Sequence, residues 1–211
     1  MKLYSAAGTC ATAMHIVLEW IGKPYEVEHL DFMAMKSAEY LKINGSGVVP
    51  TLVDGDLILP EGMAILLHLV DQNSAANIGP AHGTPERVDL HKWLVYISGT
   101  LHPYFWPYFM PQRFTTDENG LEAVKAAAQL LVGKALTHID QHLEGKHWMV
   151  GDAKSVADAF LYPMANWAYG FDVPTSEYKN VDRIIRKLAA DPAVLIVHAA
   201  QGNSPKVNVE G

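Results

Sequence analysis

Hydrophobic and polar positions follow one rule in the first part of this chain and another in the rest. Residues 2–4 are a short, mainly apolar run and predict a strand. From residue 10 to residue 21 apolar side chains fall at Ala13, Ile16, Val17 and Trp20, the spacing that lays one stripe along a helix. Gly22 and Pro24 stop that helix. Residues 25–30 alternate apolar with polar and predict a second strand, and residues 37–43 a short helix. Two apolar runs, 51–53 and 57–59, then flank Asp54-Gly55-Asp56, and an Asp-Gly pair between such runs is a strong hairpin signal. A helix over residues 61–70 follows, with Ala64, Ile65, Leu67 and His68 to Leu69 as its core face. The predicted order is β-α-β-α-β-β-α, a compact α/β unit.

Residues 73–85 are rich in Asn, Ser, Gly, Pro and Ala, a linker composition, and a domain boundary is expected there. Beyond it only helical patterns recur, over 86–109, 121–142, 155–168, 182–190 and 192–200. Residues 1–78 therefore read as an α/β domain, 86–201 as an all-α domain, and 202–211 as a frayed tail. Ser155 precedes an apolar helix and Asp158 follows three residues later, a capping-box spacing with a folding role. Residues 93–112 carry no Asp, Glu, Lys or Arg over the length of a bilayer span. Pro103, Pro107, Pro111 and His102 interrupt that stretch, so a bent, partly buried helix is expected and no membrane association.

Composition narrows the class further. Of 211 residues 49% are hydrophobic and 18% charged, as in a packed globular protein. The net charge is −7 and no Lys/Arg cluster exceeds a pair, so neutralisation of a phosphate backbone is poorly supported and nucleic acid is not an expected partner. One cysteine, Cys10, cannot form an intrachain disulfide; with no export signal visible, a cytoplasmic location is expected. Metal-ligand Cys/His spacing, phosphate loop, dinucleotide fingerprint and nucleophile elbow are all missing from the sequence, so no metal is expected.

Cys10 falls at the predicted start of the first helix, where the dipole and unpaired N–H groups favour a thiolate. By position alone it is either a reactive sulfur or a small buried apolar residue. Thr9, Tyr4 and, more weakly, Ser5 are hydroxyls of the same region that could donate to a sulfur anion, although Tyr4 also suits strand packing.

An α/β unit of this order before an all-helical domain resembles the cytosolic glutathione transferases, and four motifs sharpen the likeness. Met-Lys-Leu-Tyr followed by Gly8-Thr9-Cys10 is similar to the start of the bacterial beta class. Residues 44–50, Asn-Gly-Ser-Gly-Val-Val-Pro, resemble that family's Asn-Pro-x-Gly-x-Val-Pro segment; Pro60-Glu61-Gly62-Met63-Ala64-Ile65 resembles its Thr-Glu-Ser/Gly-x-Ala-Ile motif; and Ser155-Val156-Ala157-Asp158-Ala159 resembles its capping sequence. Gly45 and Pro60 depart from the usual Pro and Thr or Ser, and Gly62 stands where many classes have Ser.

The resemblance implies a thioredoxin-like N-terminal domain, an all-helical C-terminal domain and a homodimer. It implies glutathione as cosubstrate and attack by its thiolate on a small hydrophobic electrophile. It also implies a site: Cys10 beside the glutathione sulfur; a cis Pro50 that lets the Val49 backbone pair with the peptide; Glu61 on the γ-glutamyl ammonium, with Gly62 at the helix end that receives the carboxylate; and His102 as a second catalytic group. The aromatic run that follows offers Phe105, Trp106 and Phe109 to the electrophile, and Trp167 is similar. His15, His68, His91, His138 and His198 are expected to be structural. Two other functions compete: glutathione-dependent thiol–disulfide exchange through Cys10, limited by the lack of a resolving cysteine, and a non-catalytic binding protein with the same fold.

Overall fold

A computed structural model describes residues 1–207; the last four positions of the tail expected to fray, 208–211, lie outside the described residues. The hairpin signal is realised as β3 (Thr51–Asp54) and β4 (Leu57–Pro60), joined through Gly55 at φ +61°. With β1 (Lys2–Ser5) and β2 (Glu26–His29) they make a four-stranded sheet of order β2-β1-β3-β4. β1 runs parallel to β2, with Leu3 opposite Val27, and antiparallel to β3, with Leu3 opposite Leu52.

Strand alternation decides which helix covers which face. Leu3 and Leu52 are fully buried and belong to one core with Ala13, Ile16 and Val17 of α1 (Thr12–Ile21) and Ile65, Leu66 and Leu69 of α3 (Gly62–Gln72). The buried stripe of α3 thus runs through Ile65, Leu66, Leu69 and Val70, rotated from the face expected through Ala64 and Leu67. Tyr4 points to the opposite face, where its ring lies 5.3 Å from that of Tyr40 on α2 (Ala38–Ile43).

The helical part begins with α4 (Pro85–Tyr96), capped by the Thr84 hydroxyl. The stretch predicted as one bent helix continues as a π-helical segment, Ile97–Leu101, and then α5 (His102–Phe109). The distortion falls just before Pro103, whose ring and missing N–H disrupt the preceding turn. α6 (Leu121–His142), α7 (Val156–Ala168), α8 (Lys179–Ala189) and α9 (Pro192–Ala200) complete the bundle. Among the described residues no helix is long and apolar enough to cross a membrane.

α7 is the central helix, buried along almost its whole length, and its capping box forms as the sequence indicates. The Ser155 hydroxyl accepts from Ala157 N at 3.3 Å, and Asp158 Oδ2 accepts from Ser155 N at 2.8 Å.

The tail departs from expectation through Val207. Asn203 Oδ1 lies 2.5 Å from His198 Nδ1, Lys206 N donates to Asn166 Oδ1 at 2.8 Å, and Val207 is 3% exposed. Its polar composition suggested fraying, but Asn203 is tied to His198 at the end of α9 and Lys206 to Asn166, 40 positions back in the chain.

Candidate active site

The first strand leads into a turn, not directly into a helix. Gly8 takes φ +70°, and residues 9–11 wind through bonds from Thr12 N to Thr9 O and from Ala13 N to Cys10 O, both 3.1 Å. α1 itself starts at Thr12, so Cys10 sits just before the helix rather than at its first position. The Thr9 hydroxyl donates to Ala6 O at 2.8 Å and accepts from Ala11 N at 3.3 Å. Its proton is committed to the turn, and Tyr4 lies on the other sheet face, so neither serves as a donor to a sulfur here. Ser5 Oγ is buried and has no hydrogen-bond partner among the described residues.

Cys10 corrects the expected sign of its acidity. Burial pushes the thiol up to about 11, outweighing the lowering effect of its own N–H and that of Ala11; Glu61 adds a small raising effect. The helix-entrance N–H groups favour an anion, but desolvation wins.

The loop that carries Pro50 is fixed from below. Tyr40 Oη donates to Val48 O at 2.7 Å and lies 2.8 Å from Thr51 Oγ1, while Asn44 Nδ2 donates to Val48 O at 2.9 Å. Lys36 Nζ donates to Gly47 O at 2.7 Å. The Val49–Pro50 peptide is cis. Among the described residues, the Val49 N–H and C=O engage no hydrogen bond, so this backbone edge is open for pairing.

Glu61 adjoins that loop with φ +73° and ψ 109°, a left-handed conformation rare for a non-glycine residue. Such strain clusters at ligand-holding positions. Its side chain does not cap α3 and has no hydrogen-bond or ion-pair partner among the described residues. A Cβ at Gly62 would fall 2.6 Å from Met14 Cε and 3.7 Å from Pro50 Cγ. A side chain in place of Gly62 would shift the end of the Met14 side chain. Pro60 is accommodated because β4 is an edge strand, where a missing N–H costs little.

The helical half closes the other side. Trp167 Nε1 donates to Gly8 O at 2.8 Å, and its ring centroid lies 5.8 Å from His102, 5.2 Å from Phe105 and 5.4 Å from Phe109. Burial lowers the His102 pKa, leaving a neutral imidazole suited to donate or accept a hydrogen bond rather than to carry charge at neutral pH. Phe105 is 1% exposed and packs beneath Trp167, so it is unavailable to a substrate, contrary to expectation; a hydrophobicity pattern cannot tell which of several adjacent aromatics faces the cleft. Trp106 and Phe109 stand 40% and 50% exposed.

The five histidines expected to be structural have partners of their own. His15 shares a hydrogen bond with Tyr25 at 3.1 Å and burial lowers its pKa to about 4; His68 meets Asp54, His91 accepts from Arg87, and His198 meets Tyr162. His138 lies against the Tyr96 ring. Among the described residues no group of three or more His, Cys, Asp and Glu side chains is placed to hold a metal ion.

An α/β half with an open backbone edge at a cis proline is thus joined to a helical half bearing an aromatic wall, the build of a two-domain protein. Sequence profiles resolve it further: that of the glutathione S-transferase N-terminal domain matches residues 1–71, and that of the C-terminal domain matches 97–192. The chain belongs to the glutathione S-transferase family. It is 31% identical to glutathione S-transferase GST-4.5 of Xanthomonas campestris, covering 96% of this chain and 99% of the relative. A sphingomonad glutathione S-transferase complexed with glutathione is 33% identical with a TM-score of 0.86, covering 96% and 99% of the two chains. A bacterial beta class enzyme from Sphingomonas chungbukensis is 31% identical with a TM-score of 0.85, covering 96% and 99%.

Proposed function

We propose that this protein is a beta-class-like glutathione transferase in which the Cys10 turn, Val49–Pro50 and the Glu61–Gly62 helix entrance hold glutathione. The observation that carries the reading is the open Val49 backbone pair beside the cis proline, on the same face as a helix N-terminus and an unengaged carboxylate. An extended peptide pairs with such an edge as an added strand would. The γ-glutamyl carboxylate fits the free N–H groups at the start of α3, and its ammonium fits Glu61. Glutathione held in this way would direct its sulfur toward Cys10.

Cys10 then acts as a neutral thiol donating to the glutathione thiolate, with neutral His102 as the second donor. A hydrogen bond to the charged sulfur lowers its pKa. The ionised sulfur attacks a small hydrophobic electrophile received by Trp106 and Phe109. Residues 1–78 serve as the glutathione-binding unit and 86–201 as the electrophile-binding one. We assign the protein to the cytoplasm as a homodimer; exposed Val88 and Val95 on α4, with Phe32 and Met33 after β2, are apolar surface that a second copy would cover.

Thiol–disulfide exchange through Cys10 is disfavoured by its acidity: the thiol is half-buried, and desolvation pushes its pKa to about 11, so little thiolate is present at pH 7. Alkylation by iodoacetamide tests both the site and the acidity, because Cys10 is the sole cysteine. The rate is expected to climb about tenfold per pH unit from pH 7 to 9 with no plateau, since only the thiolate reacts. Saturating S-methylglutathione, which cannot exchange, is expected to protect the thiol. A plateau below pH 8 refutes the buried thiol, and unprotected alkylation refutes the placement of glutathione.

A further inference from the structure

Both backbone polar groups of Gly8 are held by the helical half. The Gly8 C=O accepts from Trp167, and the Gly8 N–H donates to Gln201 Oε1 at 3.1 Å, across 193 positions of sequence. Gln201 lies just beyond α9. Its side-chain amide is also within 3.2 Å of the Thr12 hydroxyl at the first turn of α1, so one amide spans both ends of the turn that contains Cys10.

The amide is itself supported. Asn203 Nδ2 donates to Gln201 Oε1 at 3.3 Å, Asn203 Oδ1 lies 2.5 Å from His198 Nδ1, and His198 Nε2 lies 2.8 Å from Tyr162 Oη. Directionality is consistent along the chain: Asn203 Nδ2 is a donor, so its Oδ1 accepts from His198 Nδ1–H, and His198 Nε2 then accepts from the Tyr162 hydroxyl. Tyr162 is a fully buried residue of α7 and does not move easily. A hydrogen-bonded chain therefore runs from the rigid centre of the helical half, through the C-terminal segment, to the peptide two residues before Cys10.

We infer that Gln201 is a positioning residue for the active-site turn, supported by Asn203, and that the C-terminal segment fixes the exposure of the Cys10 thiol. Gly8 sits at φ +70°, where a glycine peptide has wide freedom, so the turn needs an external clamp to hold one conformation. The kinetic part of this inference rests on the glutathione reading above; the thiol-reactivity part does not.

The test is reaction of the parent, Gln201→Ala and Gln201→Glu with Ellman's reagent at pH 8, alongside steady-state conjugation with glutathione. Removing the acceptor frees the Gly8 N–H, and Cys10 labelling is expected to quicken about 2- to 12-fold, the factor one hydrogen bond is worth. KM for glutathione is expected to rise by a similar factor with kcat little changed. Gln201→Glu retains an acceptor oxygen and is expected to restore both. A residue that merely anchors the tail would lower the melting temperature of Gln201→Ala and leave labelling within error of the parent, which overturns the inference. Should Gln201→Ala fail to fold, Asn203→Ala, which withdraws the support but keeps the amide, decides by the same labelling rate. If labelling changes while glutathione fails to bind any of the proteins, the clamp stands and the transferase reading falls.

Discussion

Asp158→Ala is expected to lower stability by about 3–5 kcal/mol, which for a chain of this size is a fall of roughly 10 °C in the thermal midpoint. Asp158 is fully buried and accepts from Met149 N, Ser155 N and Ser155 Oγ, each at 2.8 Å. The variant strands two buried backbone donors at once and frees the entrance of α7, the helix around which the others pack. Burial also pushes this carboxyl up to about 6, despite the three donors that favour its ionised form. A carboxyl raised above its unfolded value binds its proton more tightly in the folded state, so it adds stability as pH falls from 6 to 4. The gap between parent and variant should therefore widen over that range and hold constant above it. Urea unfolding at pH 4.5, 6 and 7.5 measures this; a gap that narrows toward acid contradicts the burial.

Glu61→Ala is expected to raise KM for glutathione about tenfold while leaving kcat nearly unchanged. A hydrogen bond between charged partners is worth about 1.5–3 kcal/mol, and the exposure of this carboxylate places the effect at the lower end. Loss of ground-state binding alone appears in KM. The backbone strain at φ +73° is shared by any residue except glycine, so alanine isolates the carboxylate. An unchanged KM would remove Glu61 from the site. A fall in kcat with KM constant would give it a role in the chemistry instead.

Local signals carried most of the fold. The Asp54-Gly55 turn, the stripe of α1 and the Ser155/Asp158 spacing each depend on residues within a few positions of one another, where pattern and physics coincide. The Cys10 turn shows the limit. Its place in the chain was legible, but the balance between dipole and desolvation depends on what packs above it. Phe105 and Phe109 are indistinguishable as letters, and only the packing of Trp167 onto the Gly8 carbonyl decides which of them reaches the cleft. The same holds for Asn203, in the stretch whose polar composition suggested fraying: its partners are His198 and Gln201, and Gln201 in turn reaches Thr12. The left-handed backbone of Glu61 left no trace in sequence, because the residue there is not glycine.

Calorimetric titration of the purified protein with reduced glutathione bears most directly on the assigned pocket. One saturable site per chain, weakened about tenfold in Glu61→Ala and retained in Phe105→Leu, is the expected result. No heat of binding at millimolar glutathione would contradict the assignment and leave a glutathione-transferase fold with another use.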